Sequence, residues 1–192
     1  MDAQAWDERY AQARQWSAEP NRLAAELIEP LPPGRALDLA AGEGRMALWL
    51  AGRGWEVEAL DFSRTALERG RQAAPPGATV TWRVDDAVTA ELGEGAFDVV
   101  LVLYLHMPRD VVSGVLRRAA RAVAPGGRLL LLGHDRANLD HGVGGPQDPE
   151  VLWDVKLLAE ATRGFRHERV EQVRRDTEAG AAIDTLLWGV RA

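Results

Sequence analysis

The 192-residue sequence contains no cysteine, which excludes disulfides, thiolate zinc sites, iron–sulfur clusters and cysteine nucleophiles together. Lys156 is its only lysine, so all of its other basic side chains except the histidines are arginines. The longest apolar run, residues 99–105, is far shorter than the roughly 18 residues that a membrane-spanning helix needs. The first residues are polar and acidic and do not resemble a secretory leader. We therefore expect a cytoplasmic protein with no membrane partner.

The sequence also lacks an excess of basic residues. Acidic residues outnumber basic ones, 29 to 23, and the formal net charge is −6 at pH 7. Because phosphate recognition requires a basic face, this balance argues against a nucleic-acid partner and favours a small molecule. Hydrophobic residues make up 46% and charged residues 27% of the chain, as in ordinary globular domains. At about 150 residues per domain, we predict a single domain over residues 1–192 that forms a monomer or a homodimer.

Strand-like and helical segments alternate along the middle of the chain. Short β-branched or leucine-rich runs are separated by stretches with helical spacing, a pattern typical of a parallel sheet covered by helices on both faces. Together with a C-terminal hairpin, they predict an α/β fold with a Rossmann-like, doubly wound, seven-stranded sheet that is mostly parallel and has an antiparallel C-terminal strand. The predicted strands are 36–40, 56–61, 79–84, 97–105 and 128–134, and the predicted helices are 45–52, 63–73 and 109–123, with Ser63 as an N-cap.

The segments that flank this core, residues 35–135, carry other signals. Helical spacing continues over residues 3–16 and 22–28, where aromatic side chains either pack on the core or belong to a lid. Gly, Asp, Asn and Pro are frequent in the long loop 136–149, and loops of this length are more often functional lids than connectors. The part from residue 150 to 192 predicts a helix over 150–162 and two strands, 166–177 and 181–191, joined by a hairpin turn.

The sequence Leu37-Asp38-Leu39-Ala40-Ala41-Gly42-Glu43-Gly44-Arg45 lies between the first predicted strand and a helix. Small residues at such a turn let a ligand approach the backbone, and the start of a helix offers free N–H groups. From Gly42 onwards the segment also fits the dinucleotide pattern G-x-G-x-x-[G/A].

Acidic residues end three successive predicted strands. Asp38 is placed at the end of a buried strand, where a carboxylate would repel a pyrophosphate but suits a ligand with an amino group near a sulfonium. Asp61 closes the second strand, where a carboxylate can accept both hydroxyls of a ribose. Asp86, or its neighbour Asp85, ends the third and can hold an adenine amino group. Since open α/β sheets bind ligands at their carboxyl edge, these acids predict a binding site there.

Residues 35–135 resemble the class I S-adenosylmethionine-dependent methyltransferases. The first motif of that family, D-x-G-x-G-x-G, corresponds to Asp38–Gly44, with Ala40 in place of the first glycine; a methyl group is tolerable there if its φ is negative. The opening Trp6-Asp7-Glu8-Arg9-Tyr10 is similar to small-molecule enzymes of the tellurite-resistance and ubiquinone-biosynthesis types. Further motifs match at Asp61-Phe62, Asp86-Ala87, Phe97-Asp98-Val99-Val100 and Pro125-Gly126-Gly127-Arg128-Leu129.

This resemblance implies transfer of a methyl group from S-adenosylmethionine to a small-molecule acceptor by SN2 displacement, with S-adenosylhomocysteine as the product. Because the leaving group is already activated, a general base is needed only for an acceptor that is protonated at neutral pH. His106, just past the fourth predicted strand, and His134, at the end of the fifth, are the candidates for this base, and an unperturbed imidazole titrates near pH ~6.5. Tyr10, Trp16, Tyr104 and His106 are expected to shape the acceptor pocket. The implied cofactor contacts are Asp38, Ala40, Gly42, Gly44, Asp61, Phe62, Asp86, Ala87 and Leu103.

Two alternatives stay open at this point. An NAD(P)-binding oxidoreductase would need a Tyr-x-x-x-Lys pair or a separate catalytic domain, and neither Tyr10 nor Tyr104 has Lys156 at that spacing. A non-catalytic module that binds S-adenosylmethionine is the other, since methyl transfer demands no invariant catalytic side chain. No metal site is predicted, because the histidines lack ligand spacing, and no G-x-S-x-G elbow for a serine hydrolase occurs in the sequence.

Overall fold

The structure is a computed structural model that describes residues 3–12 and 17–192. The chain divides into two compact units, residues 1–91 and residues 92–192. The expectation that the whole chain acts as a single domain stays a prediction.

The first unit alternates helices and strands, as its sequence pattern predicts. Each strand runs parallel to its neighbour, with the first pairing with the second and the second with the third. In the first strand, the residues after its first position are buried, which explains its continuous apolar sequence. The helices are α1 Ala3–Gln12, α2 Arg22–Ile28, α3 Arg45–Ala51 and α4 Arg64–Ala73, and the strands are β1 Arg35–Leu39, β2 Glu56–Asp61 and β3 Val80–Val84.

Side-chain caps fix where two of these helices begin. The Asn21 side chain accepts a hydrogen bond from the N–H of Ala24 at 3.0 Å and so starts α2. The Ser63 hydroxyl oxygen accepts one from the N–H of Ala66 at 3.1 Å and starts α4, which confirms the predicted cap. Each cap satisfies a backbone donor that the helix itself leaves unpaired, and contributes about 1 kcal/mol.

The second unit contains the remaining strands. Its first two strands pair in parallel, whereas its last strand is antiparallel to both of its neighbours. The strands are β4 Phe97–Leu103, β5 Val123–His134, β6 Phe165–Thr177 and β7 Gly180–Arg191, and the helices are α5 Arg109–Ala122, α6 Asn138–His141 and α7 Val155–Ala161.

Helix α5 has the apolar spacing of an amphipathic helix. It buries Val112, Val115, Leu116 and Ala119, which recur at the spacing of one helix face.

The seven strands form one sheet in the order β3-β2-β1-β4-β5-β7-β6. This order, with parallel strands first and an antiparallel hairpin at the end of the chain, confirms the predicted seven-stranded, mostly parallel α/β fold. No helix within residues 3–12 and 17–192 combines the length and the apolar character needed to cross a bilayer.

Several predicted elements differ in extent. The strand predicted over 97–105 ends at Leu103, and the loop predicted over 136–149 contains the short helix α6. The helix predicted over 150–162 is only α7, preceded by a short 3₁₀ turn at 149–151, because Leu152 is extended and Trp153 forms a β-bridge with Asp135. The Asp154 carboxylate then caps α7 by accepting from the N–H of Leu157 at 2.7 Å.

The strand predicted over 128–134 begins earlier, at Val123. The expected turn Pro125-Gly126-Gly127 lies inside β5 as an irregularity, and Val123 pairs with Phe97 before the regular register resumes at Arg128, opposite Val99. Gly126 has a φ of 77° there, a left-handed conformation that glycine adopts without strain.

Candidate cofactor and acceptor sites

The loop between β1 and α3 follows a tightly wound path. Gly42 and Gly44 have φ angles of 58° and 71°, so both positions favour glycine. Ala40 is also left-handed, with a φ of 62°. The condition under which a methyl group is tolerable there, a negative φ, is therefore not met. The alanine methyl group is strained at the position where the related motif has glycine.

Asp38 lies at the end of β1 with only 3% of its surface exposed. Its carboxylate accepts a hydrogen bond from the N–H of Ala47 in α3 at 3.1 Å. Burial outweighs this bond and raises the pKa of Asp38 to about 7. The carboxyl group is thus partly protonated near neutral pH, and a cationic ligand would favour its ionised form.

Asp61, at the end of β2, ties the loop to the sheet. Its two carboxylate oxygens accept hydrogen bonds from the N–H of Gly42 at 2.8 Å and the N–H of Ser63 at 2.9 Å. Burial raises the pKa of Asp61 despite these bonds. Each oxygen keeps a lone pair that can accept from a ribose hydroxyl.

Helix α1 is hydrogen-bonded to the start of helix α4. The Asp7 carboxylate accepts from the Ser63 hydroxyl at 2.5 Å and from the N–H of Thr65 at 3.0 Å. Burial acts to raise the pKa of Asp7, but these hydrogen bonds prevail and lower it. A Cβ atom built on Gly42 would come within 2.7 Å of the Tyr10 hydroxyl oxygen, so Tyr10 lies directly on the glycine loop.

Gly44 has a packing partner that the sequence pattern does not reveal. A Cβ at Gly44 would lie 2.5 Å from the indole of Trp82 in β3, and one at Gly70 would lie 2.6 Å from the same ring. The second glycine of the motif is therefore required by side-chain packing as well as by its φ angle. Its proposed contact with a cofactor stays a prediction.

Asp86 follows β3, next to the better-paired Asp85. The Arg83 guanidinium contacts Asp85 at 2.5 Å and lowers its pKa, chiefly by hydrogen bonding. Asp86 is exposed, and one of its carboxylate oxygens accepts from the N–H of Val88 at 2.8 Å. Of these two neighbours, Asp86 is the one that contacts no arginine among the described residues, and Ala87 beside it is buried.

Leu103, at the end of β4, and Phe62, after β2, are both half-buried. Their predicted roles beside the cofactor remain untested. Trp16, predicted for the acceptor pocket, lies outside the described residues.

The second unit holds its own polar cluster at the end of β4. Tyr104 is left-handed, with a φ of 56°, which is a genuine outlier for a bulky side chain. Its hydroxyl donates to the Asp184 carboxylate at 2.8 Å, and the Arg175 guanidinium donates to the same oxygen at 2.8 Å. Burial, reinforced by the charge of Asp184, raises the pKa of Tyr104, which therefore stays protonated. Strain at this residue is maintained by these contacts.

His106 and His134, the two candidate bases, lie together in this cluster. Their rings stack with centroids 5.3 Å apart, and the Tyr104 ring is 5.2 Å from His134. His134 and Asp184 are direct partners in the pairing of β5 with β7, and Nδ1 of the histidine lies 3.0 Å from Asp184.

Asp184 and Asp7 were missed by the sequence analysis. Asp184 is the only acidic residue in the mainly apolar strand β7, and a charged residue in such a strand is a usable signal of a buried polar site. Asp7 stands in the quoted segment 6–10, but its partner Ser63 is distant in sequence, so no local pattern predicts their contact. No cluster of three or more metal-binding side chains is found among the described residues.

Comparison with known proteins identifies the family. Residues 36–127 match the methyltransferase domain family. The chain is 32% identical over 153 residues to the 2-heptyl-1-hydroxyquinolin-4(1H)-one methyltransferase of Mycobacteroides abscessus, a match that covers 75% of this chain and 67% of that relative. It is 36% identical over 114 residues to the demethylmenaquinone methyltransferase of Thermus thermophilus, covering 58% of this chain and 52% of that enzyme. The chain belongs to the class I S-adenosylmethionine-dependent methyltransferases of the small-molecule type.

The fold is shared with solved methyltransferases. The magnesium protoporphyrin IX methyltransferase of Synechocystis with bound S-adenosylmethionine superimposes with a TM-score of 0.63 at 21% identity, covering 99% of this chain and 79% of that one. Among the curated relatives, the share matched ranges from two thirds of the quinolone enzyme to about half of the Thermus enzyme. This family uses S-adenosylmethionine, so methyl transfer is favoured over the NAD(P)-dependent alternative.

Proposed function

We propose that this protein binds S-adenosylmethionine and transfers its methyl group by SN2 displacement to a small-molecule acceptor. One observation carries the proposal: a left-handed glycine loop is held by Asp61 beside the buried carboxyl group of Asp38. The chain's residues bind and orient the cofactor, whose sulfonium supplies an activated methyl group.

The residues of the first unit fit this cofactor. Asp38 offers a buried negative charge to its amino-acid end, where ligand cations would compensate the burial that raises the pKa to about 7. Asp61 offers carboxylate oxygens to the ribose. The exposed Asp86 offers one to the adenine amino group. The further proposed contacts are Ala40, Gly42, Gly44, Phe62, Ala87 and Leu103.

The acceptor is proposed to be a ring-bearing small molecule. This follows from the names of the two relatives, which act on a hydroxyquinolinone and on demethylmenaquinone. Tyr10, Tyr104 and His106 are the described residues proposed for its pocket. The acidic net charge of −6 supports a small molecule over a nucleic acid. A cytoplasmic location, a role of residues 136–149 as a lid, and a monomeric or homodimeric state complete the proposal.

Calorimetric titration with S-adenosylmethionine tests the cofactor assignment. Asp38→Asn keeps the size of the side chain and its bond to Ala47 but removes the charge, so we expect at least about a tenfold loss of affinity. The exposed Asp176→Asn is the matched control and should bind as the wild type does. Equal affinity in wild type and Asp38→Asn would contradict the assignment. Formation of S-adenosylhomocysteine with an acceptor separates the enzyme from a non-catalytic module.

A further inference from the structure

The His134 imidazole is held in one orientation by neighbours on three strands. Asp184 faces it from β7, and Asp184 is in turn held by Tyr104 from the end of β4 and by Arg175 from β6. His106 stacks on its other side. Burial acts to raise the pKa of Asp184, but the contacts with His134 and Arg175 outweigh it and lower the pKa. Asp184 therefore stays ionised and faces Nδ1 of His134 as an anion.

This arrangement fixes the tautomer of His134. Nδ1 lies 3.0 Å from a carboxylate oxygen that can only accept, so Nδ1 carries the proton and Nε2 keeps its lone pair. Nδ1 of His134 and Oδ1 of Asp184 are both buried and lie within hydrogen-bond distance, but their alignment is not that of a full hydrogen bond. Catalytic hydrogen bonds are often misaligned before substrate binds and tighten in the complex.

The ring nitrogens of His106 contact backbone atoms and not a carboxylate. Its Nδ1 lies 3.1 Å from the carbonyl oxygen of Val151, and its Nε2 accepts from the N–H of His134 at 3.4 Å. Both ring nitrogens are thus used by the backbone. Burial lowers the pKa of His106 to about 4, so the ring is neutral at physiological pH. His106 is a positioning residue that supports His134 and has no nitrogen left for an acceptor.

The Nε2 atom of His134, by contrast, is not bonded by the described backbone. The side chain keeps 14% of its surface exposed, and no described residue hydrogen-bonds to Nε2. A Cβ atom on Gly145 would lie 3.0 Å from Nε2 and 2.7 Å from the adjoining carbon. The backbone at position 145 therefore passes close to this edge of the ring, and any side chain there would cover it. Asn138 holds this loop in place by donating to the carbonyl oxygen of Gly144 at 2.8 Å.

We propose that Nε2 of His134, oriented by Asp184, is the general base for an acceptor hydroxyl of the phenol or enol type. This inference rests on the proposed function. The hydroxyl proton passes to Nε2 as an oxygen electron pair forms the bond to the methyl carbon. The carbon–sulfur bond breaks, and its electron pair stays on sulfur as the neutral thioether. The imidazolium then returns its proton to water.

A hydroxyl of this type suits such a site. Sulfonium methyl groups need no acid assistance, so the only proton to be moved is that of the acceptor. Phenols and enols are weak acids that are mostly protonated at neutral pH and become good nucleophiles once ionised. The charges of Asp184 and Arg175 offset each other, so a neutral acceptor can enter and the developing imidazolium is stabilised by Asp184.

The test uses His134→Gln, which keeps a polar side chain but removes the base. Its rate of S-adenosylhomocysteine formation is compared with wild type at pH 8 for phenol, 1-naphthol and 4-nitrophenol, of which only the last is largely ionised at that pH. We expect kcat/KM to fall by about 100-fold or more for phenol and by less than about tenfold for 4-nitrophenol. A purely structural role would lower both rates equally, which would overturn the inference. His167→Gln, whose ring bonds Thr162, is the matched control.

Two further readouts separate this inference from the proposed function. Nitrogen-15 NMR of the unliganded protein should show His134 as the Nδ1–H tautomer, and a proton on Nε2 in the neutral ring would refute the base. Titration with S-adenosylmethionine should give the same affinity for wild type and His134→Gln. A wild type that binds the cofactor but turns over none of the hydroxyl probes contradicts the hydroxyl acceptor alone. A wild type that does not bind the cofactor contradicts the proposed function itself.

Discussion

Asp38 and Asp184 are both buried carboxylates, one in each unit, but they are stabilised in opposite ways. Asp38 is 3% exposed and receives a single backbone hydrogen bond from Ala47, so its burial raises the pKa to about 7. Asp184 is 1% exposed, yet its contacts with His134, Arg175 and Tyr104 overcome the effect of burial and lower its pKa.

At Asp38 burial outweighs the nearby charge of Arg45 and the bond from Ala47, whereas at Asp184 the neighbouring partners outweigh burial. An uncompensated buried charge is costly, and Asp38 is therefore poised for a cation supplied by a ligand. The charge of Asp184 is already neutralised by Arg175, so this carboxylate holds Tyr104 and His134 in place. A ligand-binding role is thus favoured for the first acid and a positioning role for the second.

The largest effect expected from this comparison is the pH dependence that Asp38 contributes. The folded state binds a proton at Asp38 up to about pH 7, whereas the unfolded chain releases it near 3.8. Folding is therefore linked to proton uptake between these values, and this contribution to stability falls as the pH rises from about 4 to 7. By pH 7.5, Asp38→Asn should be more stable than the unliganded wild type by about 2–4 kcal/mol.

Urea unfolding of both proteins at pH 4.5, 6 and 7.5, with S-adenosylmethionine absent, measures this difference. The gap between variant and wild type should widen as the pH rises. A gap that is constant across the series would show that Asp38 is ionised at all three values and would remove the contrast with Asp184.

Removal of the charge at Asp184 should destabilise the protein, whereas removal of the charge at Asp38 should stabilise it. Because its folded pKa is lowered, Asp184 contributes stability that is present above the unfolded pKa and lost as the pH falls through the folded pKa. Asp184→Asn should destabilise the protein at pH 7 by about 2 kcal/mol, a figure kept low because Arg175 is partly exposed. Thermal unfolding at pH 7 tests this, with the exposed Asp176→Asn as control. Unchanged stability would mean that the cluster does not depend on the charge.

The first unit could be predicted closely from the sequence because its signals are local. Helix α2 and strand β2 have the predicted bounds, and the cap at Ser63 is where the pattern placed it. The glycine loop and the acids at the ends of the strands lie within short motifs whose spacing reflects strand–turn–helix geometry. What the motif could not show was the conformation of Ala40 and the ring of Trp82 against Gly44.

The polar cluster of the second unit was predicted only in part, since it joins residues far apart in the chain. His106 and His134 were found because one follows a strand and the other ends one. Asp184 reaches His134 through the antiparallel register of β5 and β7, and Tyr104 is bonded to a residue 80 positions away. Such contacts depend on strand pairing, which periodicity alone does not specify. The shortened helix α7 has the same cause, because the β-bridge of Trp153 overrides local helical preference.

The smallest expected effect concerns backbone strain. Ala40 and Tyr104 are the two non-glycine residues with positive φ in the described part of the chain, one in each unit. A left-handed conformation costs a residue with a Cβ about 1–2 kcal/mol. At Tyr104 the side chain is bonded to Asp184 and offsets this cost. The methyl group of Ala40 makes no comparable polar contact, so glycine should be better tolerated there.

Ala40→Gly should therefore stabilise the protein by about 0.5–1 kcal/mol, because the relief of strain exceeds the added freedom of glycine in the unfolded chain. The neighbouring Ala41→Gly is the matched control: its φ is not positive, and the substitution should instead destabilise by about 0.5–1 kcal/mol. Urea unfolding at one pH distinguishes the two signs. If both substitutions destabilise equally, the strain at Ala40 is not stored in its backbone, and the left-handed turn would have to be maintained by contacts of its methyl group, as that of Tyr104 is by its hydroxyl.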